Sequence, residues 1–243
     1  MAVYQICYGF NDITCGEFIH AIYTNDTQKV KLLLDAGQDP FERDSDGNGP
    51  YFWASFLGDV PMIQAIADAQ RKRGGIQGLT LHHLMMALPE SRPLDAEAMR
   101  RFQLLVQLLN GADTLKTEGS QLLSLAVHRD ADSKVVEFLL GLGIRTDGTW
   151  DRTGNTPLHD ACELGRADLV KLLLEESPDT GALNQKGETP LKLAMNALIV
   201  SRFTDAAECV KLLQNNKAAV IPALNLWERL SLRRAMRQAG RPA

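Results

Sequence analysis

The residues best suited to covalent chemistry are a histidine and a cysteine three positions apart, His159 and Cys162. Residues with this spacing share one face of a helix, so the two side chains could act as base and nucleophile. The alternative is a structural histidine next to a cysteine that packs as a small apolar side chain. The choice between the two depends on the segment in which the pair lies.

No other cluster of residues has a spacing typical of catalysis or ligand binding. His82 and His83 are adjacent, so on a helix they point in different directions and are poor joint metal ligands. The four cysteines form no CxxC pair, and we expect neither a disulfide framework nor a zinc site. Phosphate-binding, dinucleotide-binding and HExxH motifs are missing from the sequence. We therefore predict no catalytic residue, no metal and no cofactor.

Composition favours a soluble globular protein of ordinary kind. The chain has 243 residues, of which 45% are hydrophobic and 23% charged, and its formal net charge is −4. A general nucleic-acid binder would need a basic surface, so this charge predicts no nucleic-acid partner. The sequence has neither an apolar run long enough to span a bilayer nor a secretory signal within Met1–Phe10. We predict a cytoplasmic protein without a membrane partner, in the cytosol of a recipient cell if it is exported.

The main signal in the sequence is an internal repeat. Gly154–Ala161 (GNTPLHDA) recurs further along the chain as Gly187–Ala194 (GETPLKLA). Both the offset between the two copies and the T-P-L-H-x-A motif are those of ankyrin repeats, and the chain therefore resembles the ankyrin-repeat family. In this resemblance His159 is the signature histidine, whose family role is structural, and Cys162 occupies a position that commonly holds alanine. The structural interpretation of the pair is therefore favoured over catalysis.

Weaker copies of the motif extend the pattern over most of the chain. About six repeats begin near the following residues: Thr14, Gly47, Gly78, Gly119, Gly154 and Gly187. We predict an all-α ankyrin-repeat solenoid with an N-terminal cap segment at 1–13, repeats at 14–218, and a capping helix and tail at 219–243. The third repeat carries an insertion around 88–100, which either belongs to a binding face or is neutral drift.

The signature residues have physical roles that predict where the helices begin and pack. Thr156 suits a helix N-cap, and Pro157 suits the first helical position, where no backbone donor is needed. Leu169, Val170 and Leu173 recur at helical spacing and predict the apolar face of the following helix. One such helix pair cannot bury its apolar face alone, so neighbouring repeats must stack.

The family resemblance implies a binding surface formed by the hairpin-loop tips and the exposed face of each first helix. Transferred to this chain, it gives first-helix candidates Tyr23, Phe56, Leu57, His128, Arg129, Glu163 and Leu164, and loop-tip candidates Phe41, Arg43, Trp150, Asp151 and Arg152. Aromatic and arginine side chains often dominate protein interfaces, which favours binding at Trp150. For Phe56, together with Phe52 and Trp53, a bulky core is the slightly favoured alternative.

The last stretch of the chain is rich in arginine, from Arg229 to Arg241. These arginines form the solvated face of a capping helix, attract an acidic partner, or contact a membrane or nucleic acid; we favour the three in that order.

The sequence thus predicts a non-catalytic module that binds one partner protein and is a monomer when free. It would act as an inhibitor or adaptor, for example as a bacterial immunity protein that neutralises a toxin. The alternatives are a bacterial effector delivered into another cell, and an enzyme whose site is assembled across repeats.

Overall fold

The computed structural model describes residues 3–8, 11–55, 57–89, 94–109, 115, 118–200, 205–218 and 226–239. In these residues the chain forms thirteen α-helices and one two-stranded sheet. Their bounds are β1 Tyr4–Tyr8, β2 Asn11–Cys15, α1 Glu17–Tyr23, α2 Thr27–Asp35, α3 Pro50–Ala54, α4 Val60–Lys72, α5 Leu81–Met86, α6 Ala96–Leu108, α7 Ser120–His128, α8 Ser133–Gly141, α9 Pro157–Glu163, α10 Ala167–Glu175, α11 Pro190–Val200, α12 Ala206–Asn215 and α13 Leu226–Ala239.

The helices follow one another as pairs, and the chain divides into two compact units. Unit 1 comprises residues 1–89 and 93–114, and unit 2 comprises residues 90–92 and 115–243. In unit 1, α1 contacts α3 while α2 and α4 contact each other. In unit 2, α9 contacts both α7 and α11, and α10 contacts α8 and α12. Like helices of successive pairs therefore lie side by side within each unit, as repeat stacking requires.

The N-terminal hairpin is the departure from the all-α prediction. Strands β1 and β2 are antiparallel, with Tyr4 opposite Cys15, and the Tyr4 ring stacks on the His20 ring of α1 at 4.3 Å. Alternation of β-favouring residues with others in Tyr4–Tyr8 suits a strand. The hairpin contacts α1, which supports the proposal that the N-terminal segment caps the first repeat.

Short polar side chains begin most of the second helices. Asp26, Asp59 and Asp132 each accept a hydrogen bond from a backbone N–H in the first turn, at 2.7–3.0 Å. Each bond satisfies one of the donors that a helix N-terminus leaves free. In α10 the cap position holds Arg166 instead, which joins Asp168 of its own helix and Asp130 of the preceding pair.

The two hairpin loops at 44–48 and 184–188 share one hydrogen-bond pattern, although they belong to different units. In each loop the first residue, Asp44 or Asn184, accepts two backbone N–H bonds with its side chain. Each loop also contains a glycine with positive φ, Gly47 or Gly187. The two loops are thus equivalent hairpins, one ahead of α3 and one ahead of α11.

The core of each unit is apolar and contains the residues that the helical spacing predicts. In unit 2, Leu169, Val170 and Leu173 of α10 are fully buried. In unit 1, Trp53 is fully buried, and its Nε1 donates to Asp44 Oδ2 at 3.0 Å. Trp53 is thus a core residue, while Phe52 is half-buried and packs edge-on against it. Phe56, the third member of that cluster and a predicted binding residue, lies outside the described residues.

Candidate functional site

Four of the predicted binding residues come together around one pocket in unit 2, of about 440 Å³. They are His128 at the end of α7, Asp151 in the loop before α9, and Glu163 and Leu164 at the end of α9. Thr153, Asn155 and Asp160 complete the lining. We call these seven residues the pocket. They meet because α7 and α9 are neighbouring first helices and the loop 150–155 leads into the second of them.

Asn155 holds the carboxylates of the pocket in place. Its Nδ2 donates to Asp160 Oδ1 at 2.8 Å and lies 3.3 Å from Glu163 Oε2. Its Oδ1 accepts from Nδ2 of Asn184, the first residue of the next hairpin loop, at 3.0 Å. His128 Nδ1 lies 3.4 Å from Asp160 Oδ2. Because both groups of the buried Asn155 amide are bonded, the positions of these carboxylates are set before any ligand binds.

Two carboxyl groups of the pocket have shifted pKa values, in opposite directions. Asp160 is only 5% exposed, and this burial raises the pKa of its carboxyl to about 6. The exposed Asp151 accepts bonds from the Thr153 hydroxyl and backbone N–H, which lower the pKa of its carboxyl. Both are therefore mainly ionised at neutral pH, and with Glu163 they give the pocket three acidic groups against the single imidazole of His128.

Two exposed apolar side chains lie on the hairpin loops next to the pocket. Trp150 is 39% exposed and Leu183 is 54% exposed. They are separated by the same interval as Gly154 and Gly187, so they occupy the same position in consecutive loops. Each directly precedes a residue tied to the pocket, namely Asp151, which lines it, and Asn184, which bonds to Asn155. We call Trp150 and Leu183 the apolar pair.

The remaining predicted binding residues lie in varied environments. In unit 2, Arg129 and Arg152 are exposed. In unit 1, Arg43 is exposed and donates to the Gly47 carbonyl at 2.6 Å. Tyr23, Phe41 and Leu57 are half-buried, and the Tyr23 ring meets Trp53 edge-on at 5.4 Å. Their partial burial reduces the surface that they can offer to a ligand.

Sequence reasoning missed four residues of this surface: Thr153, Asn155, Asp160 and Leu183. Leu183 could have been found from the repeat register, because it corresponds to Trp150. Asp160 follows the signature histidine, and only the contact between α7 and α9 places it against His128. The residue spacing within one repeat does not show which residues of neighbouring repeats contact each other. Residues of the site such as Asp160 can therefore be identified only from the structure.

The geometry of His159 and Cys162 supports the structural interpretation of that pair. Thr156 N–H donates to His159 Nδ1 at 3.2 Å, so the opposite nitrogen, Nε2, carries the proton and donates to the Glu188 carbonyl at 3.0 Å. The histidine thus caps α9 and fastens it to the next loop. Cys162 is fully buried, and burial raises the pKa of its thiol well above its usual value. A protonated, enclosed thiol is a poor nucleophile.

Metal-binding clusters and membrane-spanning helices are both missing from the part of the chain that the structure describes. There, no group of three or more His, Cys, Asp or Glu side chains has an arrangement that could hold a metal ion. Within the same ranges, no helix is both long and apolar enough to cross a bilayer.

Several known proteins resemble this chain over part of their length. The Neurogenic locus notch homolog protein 1 of Xenopus laevis is 35% identical over 96 residues, which are 40% of this chain and 4% of that protein. The Neurogenic locus Notch protein of Drosophila melanogaster is 33% identical over 96 residues, 40% of this chain and 3% of its own length. Ankyrin repeat and SOCS box protein 11 of Danio rerio is 30% identical over 122 residues, covering 48% of this chain and 40% of that protein.

A solved structure and a family model agree with the fold described above. The crystal structure of the human ASB11 ankyrin repeat domain superposes with a TM-score of 0.58 at 20% identity, covering 85% of this chain and 84% of that domain. The model described as "Ankyrin repeats (3 copies)" matches residues 96–183 and 123–225, which together span more than half of the chain. The number of repeats stays a prediction. This chain belongs to the ankyrin-repeat family.

Proposed function

We propose that the chain binds a partner protein through the pocket and the adjoining loop residues Trp150 and Arg152. The observation that carries this proposal is the convergence of four predicted binding residues on one pocket. Ankyrin repeats are protein-interaction modules, which supports a protein as the ligand. An exposed tryptophan and arginine beside a preorganised pocket are also typical of the centre of a protein interface. Unit 1 would contribute Tyr23, Phe41, Arg43, Phe56 and Leu57 as secondary contacts.

The biological role that we propose is that of an inhibitor or adaptor. It would act in the cytosol as a monomer on one dedicated partner, without cofactor, nucleic acid or membrane. The relatives named above are animal proteins, so they do not support the bacterial immunity or effector roles predicted from the sequence. Those two roles, and an enzyme site assembled across repeats, stay predictions.

The test is recovery of the partner from a lysate of cells that express the protein. The full chain is used as wild type, as Trp150→Ala/Arg152→Ala, and as the control Lys171→Ala/Glu175→Ala. The control removes two exposed side chains of α10 in the same unit. Circular dichroism verifies that all three forms keep their helix content.

We expect wild type and control to recover one enriched protein that the Trp150/Arg152 variant loses by about tenfold or more, as for a central interface contact. Equal recovery by all three forms would contradict the position of the site. Recovery of no protein by the wild type would contradict the binding function itself.

A further inference from the structure

We propose that the partner presents a segment in which an arginine or lysine adjoins an apolar side chain, with the cation in the pocket and the apolar side chain on Trp150 and Leu183. This inference rests on the proposed function, because it names the chemistry of the partner that binds at the same surface.

The pocket and the apolar pair are connected through two loops that are hydrogen-bonded to each other. Gln185 N–H donates to the Thr153 carbonyl at 2.8 Å, which fastens the two hairpin loops to each other. The Asn184–Asn155 bond makes a second link between the same loops. Trp150 and Leu183 stand immediately before Asp151 and Asn184 in the chain, so the apolar pair lies on the two loops that border the pocket.

The carboxylates of the pocket retain open hydrogen-bonding capacity. Asn155 engages one oxygen each of Asp160 and Glu163, and Thr153 engages Asp151 Oδ1. Among the described residues, the other oxygens of Asp151 and Glu163 accept no hydrogen bond. The pocket thus offers free carboxylate acceptors. A guanidinium or ammonium group supplies several donors and a positive charge, which fits such acceptors best.

The charge of the pocket disfavours anionic ligands. A carboxylate or phosphate would be repelled by three acidic groups, and His128 is the one basic side chain in the lining. Arg129 and Arg152 are exposed next to lining residues. Their positive charges should make the affinity for a cationic ligand depend on salt and pH, but the pocket should still prefer a cation.

The apolar pair adds exposed apolar surface that a small cation alone would not cover. Trp150 and Leu183 are large apolar side chains left in solvent at equivalent positions, and covering them is favourable by the hydrophobic effect. The indole face of Trp150 also attracts the stem and charge of a lysine or arginine. A segment with an apolar residue beside a basic one matches both parts of the surface.

The experiment is selection from a display library of random peptides against the full chain, followed by affinity measurements on the enriched peptides. The test variant is Asp151→Asn/Glu163→Gln, which keeps shape and removes two charges. The matched control, Glu137→Gln/Asp147→Asn, removes the same two types of charge at exposed positions of unit 2 outside the pocket. Each enriched peptide is also remade with citrulline for arginine, or glutamine for lysine.

We expect the enriched peptides to carry arginine or lysine beside an apolar residue. Their dissociation constants should rise about tenfold or more with the test variant and with the neutral peptide, and stay unchanged with the control. Enriched peptides that bind without a basic residue but do not bind the Trp150→Ala variant would overturn this inference. The proposed binding surface would then stand. If no enriched peptide loses affinity when Trp150 or the carboxylates are substituted, both this inference and the proposed binding surface are overturned.

Discussion

At the scale of single residues, the arrangement of the pocket depends on Asn155 and Asp160. The Asn155 amide is fully engaged, and it orders two carboxylates one turn apart on α9, those of Asp160 and Glu163. Burial raises the pKa of the Asp160 carboxyl to about 6, and the Asn155 hydrogen bond and the nearby His128 partly offset that rise. Burial of an acidic group beside an open pocket lowers the free energy of unfolding. Such a loss of stability is common at binding sites.

This cost predicts how stability depends on pH. The folded-state pKa of Asp160, about 6, lies above its ordinary value of 3.8, so the folded protein holds this proton more tightly than the unfolded chain does. The group therefore lowers the free energy of unfolding as pH rises from about 4 to about 6. We expect Asp160→Asn to be more stabilising at pH 7 than at pH 4.5 by about 2 kcal/mol. Urea unfolding at the two pH values measures this difference.

Glu137→Gln, a change at an exposed carboxylate of the same unit, serves as the control and should show no such difference. If the Asp160→Asn and Glu137→Gln curves run parallel from pH 4.5 to pH 7, burial of Asp160 does not act as described.

His159 and His128 should differ sharply in their effect on stability. His159→Ala leaves the Thr156 N–H without its acceptor and removes one of the two hydrogen bonds that the Glu188 carbonyl accepts, the other coming from the Asn184 N–H. We expect a loss of about 2 kcal/mol. His128→Ala removes an exposed side chain and one weak pair, so its loss should stay below about 1 kcal/mol. The denaturant midpoints of the two variants measure their losses of unfolding free energy. Equal losses for His159→Ala and His128→Ala would contradict the structural role of His159.

At the scale of elements, the loops before α9 and α11 place the binding residues, and each loop uses a glycine in the left-handed region. Gly154 has φ +69° and Gly187 has φ +70°. A Cβ on Gly154 would lie 3.1 Å from Gln185 Cγ and 3.2 Å from its backbone nitrogen, whereas a Cβ on Gly187 meets no atom within 4 Å. The two positions therefore differ in packing but not in backbone strain.

Substitution of these glycines by alanine separates the two effects. Gly187→Ala should cost about 1 kcal/mol from the left-handed backbone alone, and Gly154→Ala about 2 kcal/mol, because the crowding of Gln185 is added. Gly141→Ala, at the exposed end of α8 with no atom near its Cβ, should instead be neutral or stabilise by about 0.5 kcal/mol. Thermal or urea unfolding of the three variants measures the order, and any other order would contradict the loop geometry.

How much of each element the sequence predicts depends on whether its signal is local. The caps at Thr156 and Pro157 and the buried stripe of α10 follow from helix chemistry and spacing, and the structure has them. The repeat register does not predict the β-hairpin, because Tyr4–Tyr8 and most of Asn11–Cys15 lie before the first repeat. The pocket is predicted in part: its residues on α9 follow from the repeat register, whereas Asp160 and Asn155 matter through contacts with α7 and the 184–188 loop.

At the scale of the whole molecule, each end of a repeat stack exposes a helix pair that needs a cover. We propose that α13 supplies this cover in unit 2, since it contacts α11. In α13, Ala235 is buried, whereas Arg233, Arg234 and Arg237 are exposed. This division supports the interpretation of the arginines as the solvated face of a cap.

A pair of neighbouring substitutions tests the cap. Ala235→Glu should destabilise the chain by about 2 kcal/mol, because it places a carboxylate at a buried position. Arg234→Glu makes the same residue at an exposed position and should change the free energy of unfolding by less than about 0.5 kcal/mol. The measurement is urea unfolding followed by circular dichroism. Equal, small effects would show that α13 is not a cap.

Binding of a partner protein at the loop residues beside the pocket can be tested most directly by photo-crosslinking. The amino acid benzoylphenylalanine is placed in the full chain, at Trp150 in one form and at Lys171 in the other, within cells that express the protein. Both positions are exposed in unit 2, but Lys171 lies on α10, away from the pocket. We predict that irradiation joins one discrete protein to the Trp150 form and leaves the Lys171 form unmodified. Crosslinking to the same protein from Lys171 alone, or the same mixture of proteins from both positions, would contradict binding at this surface.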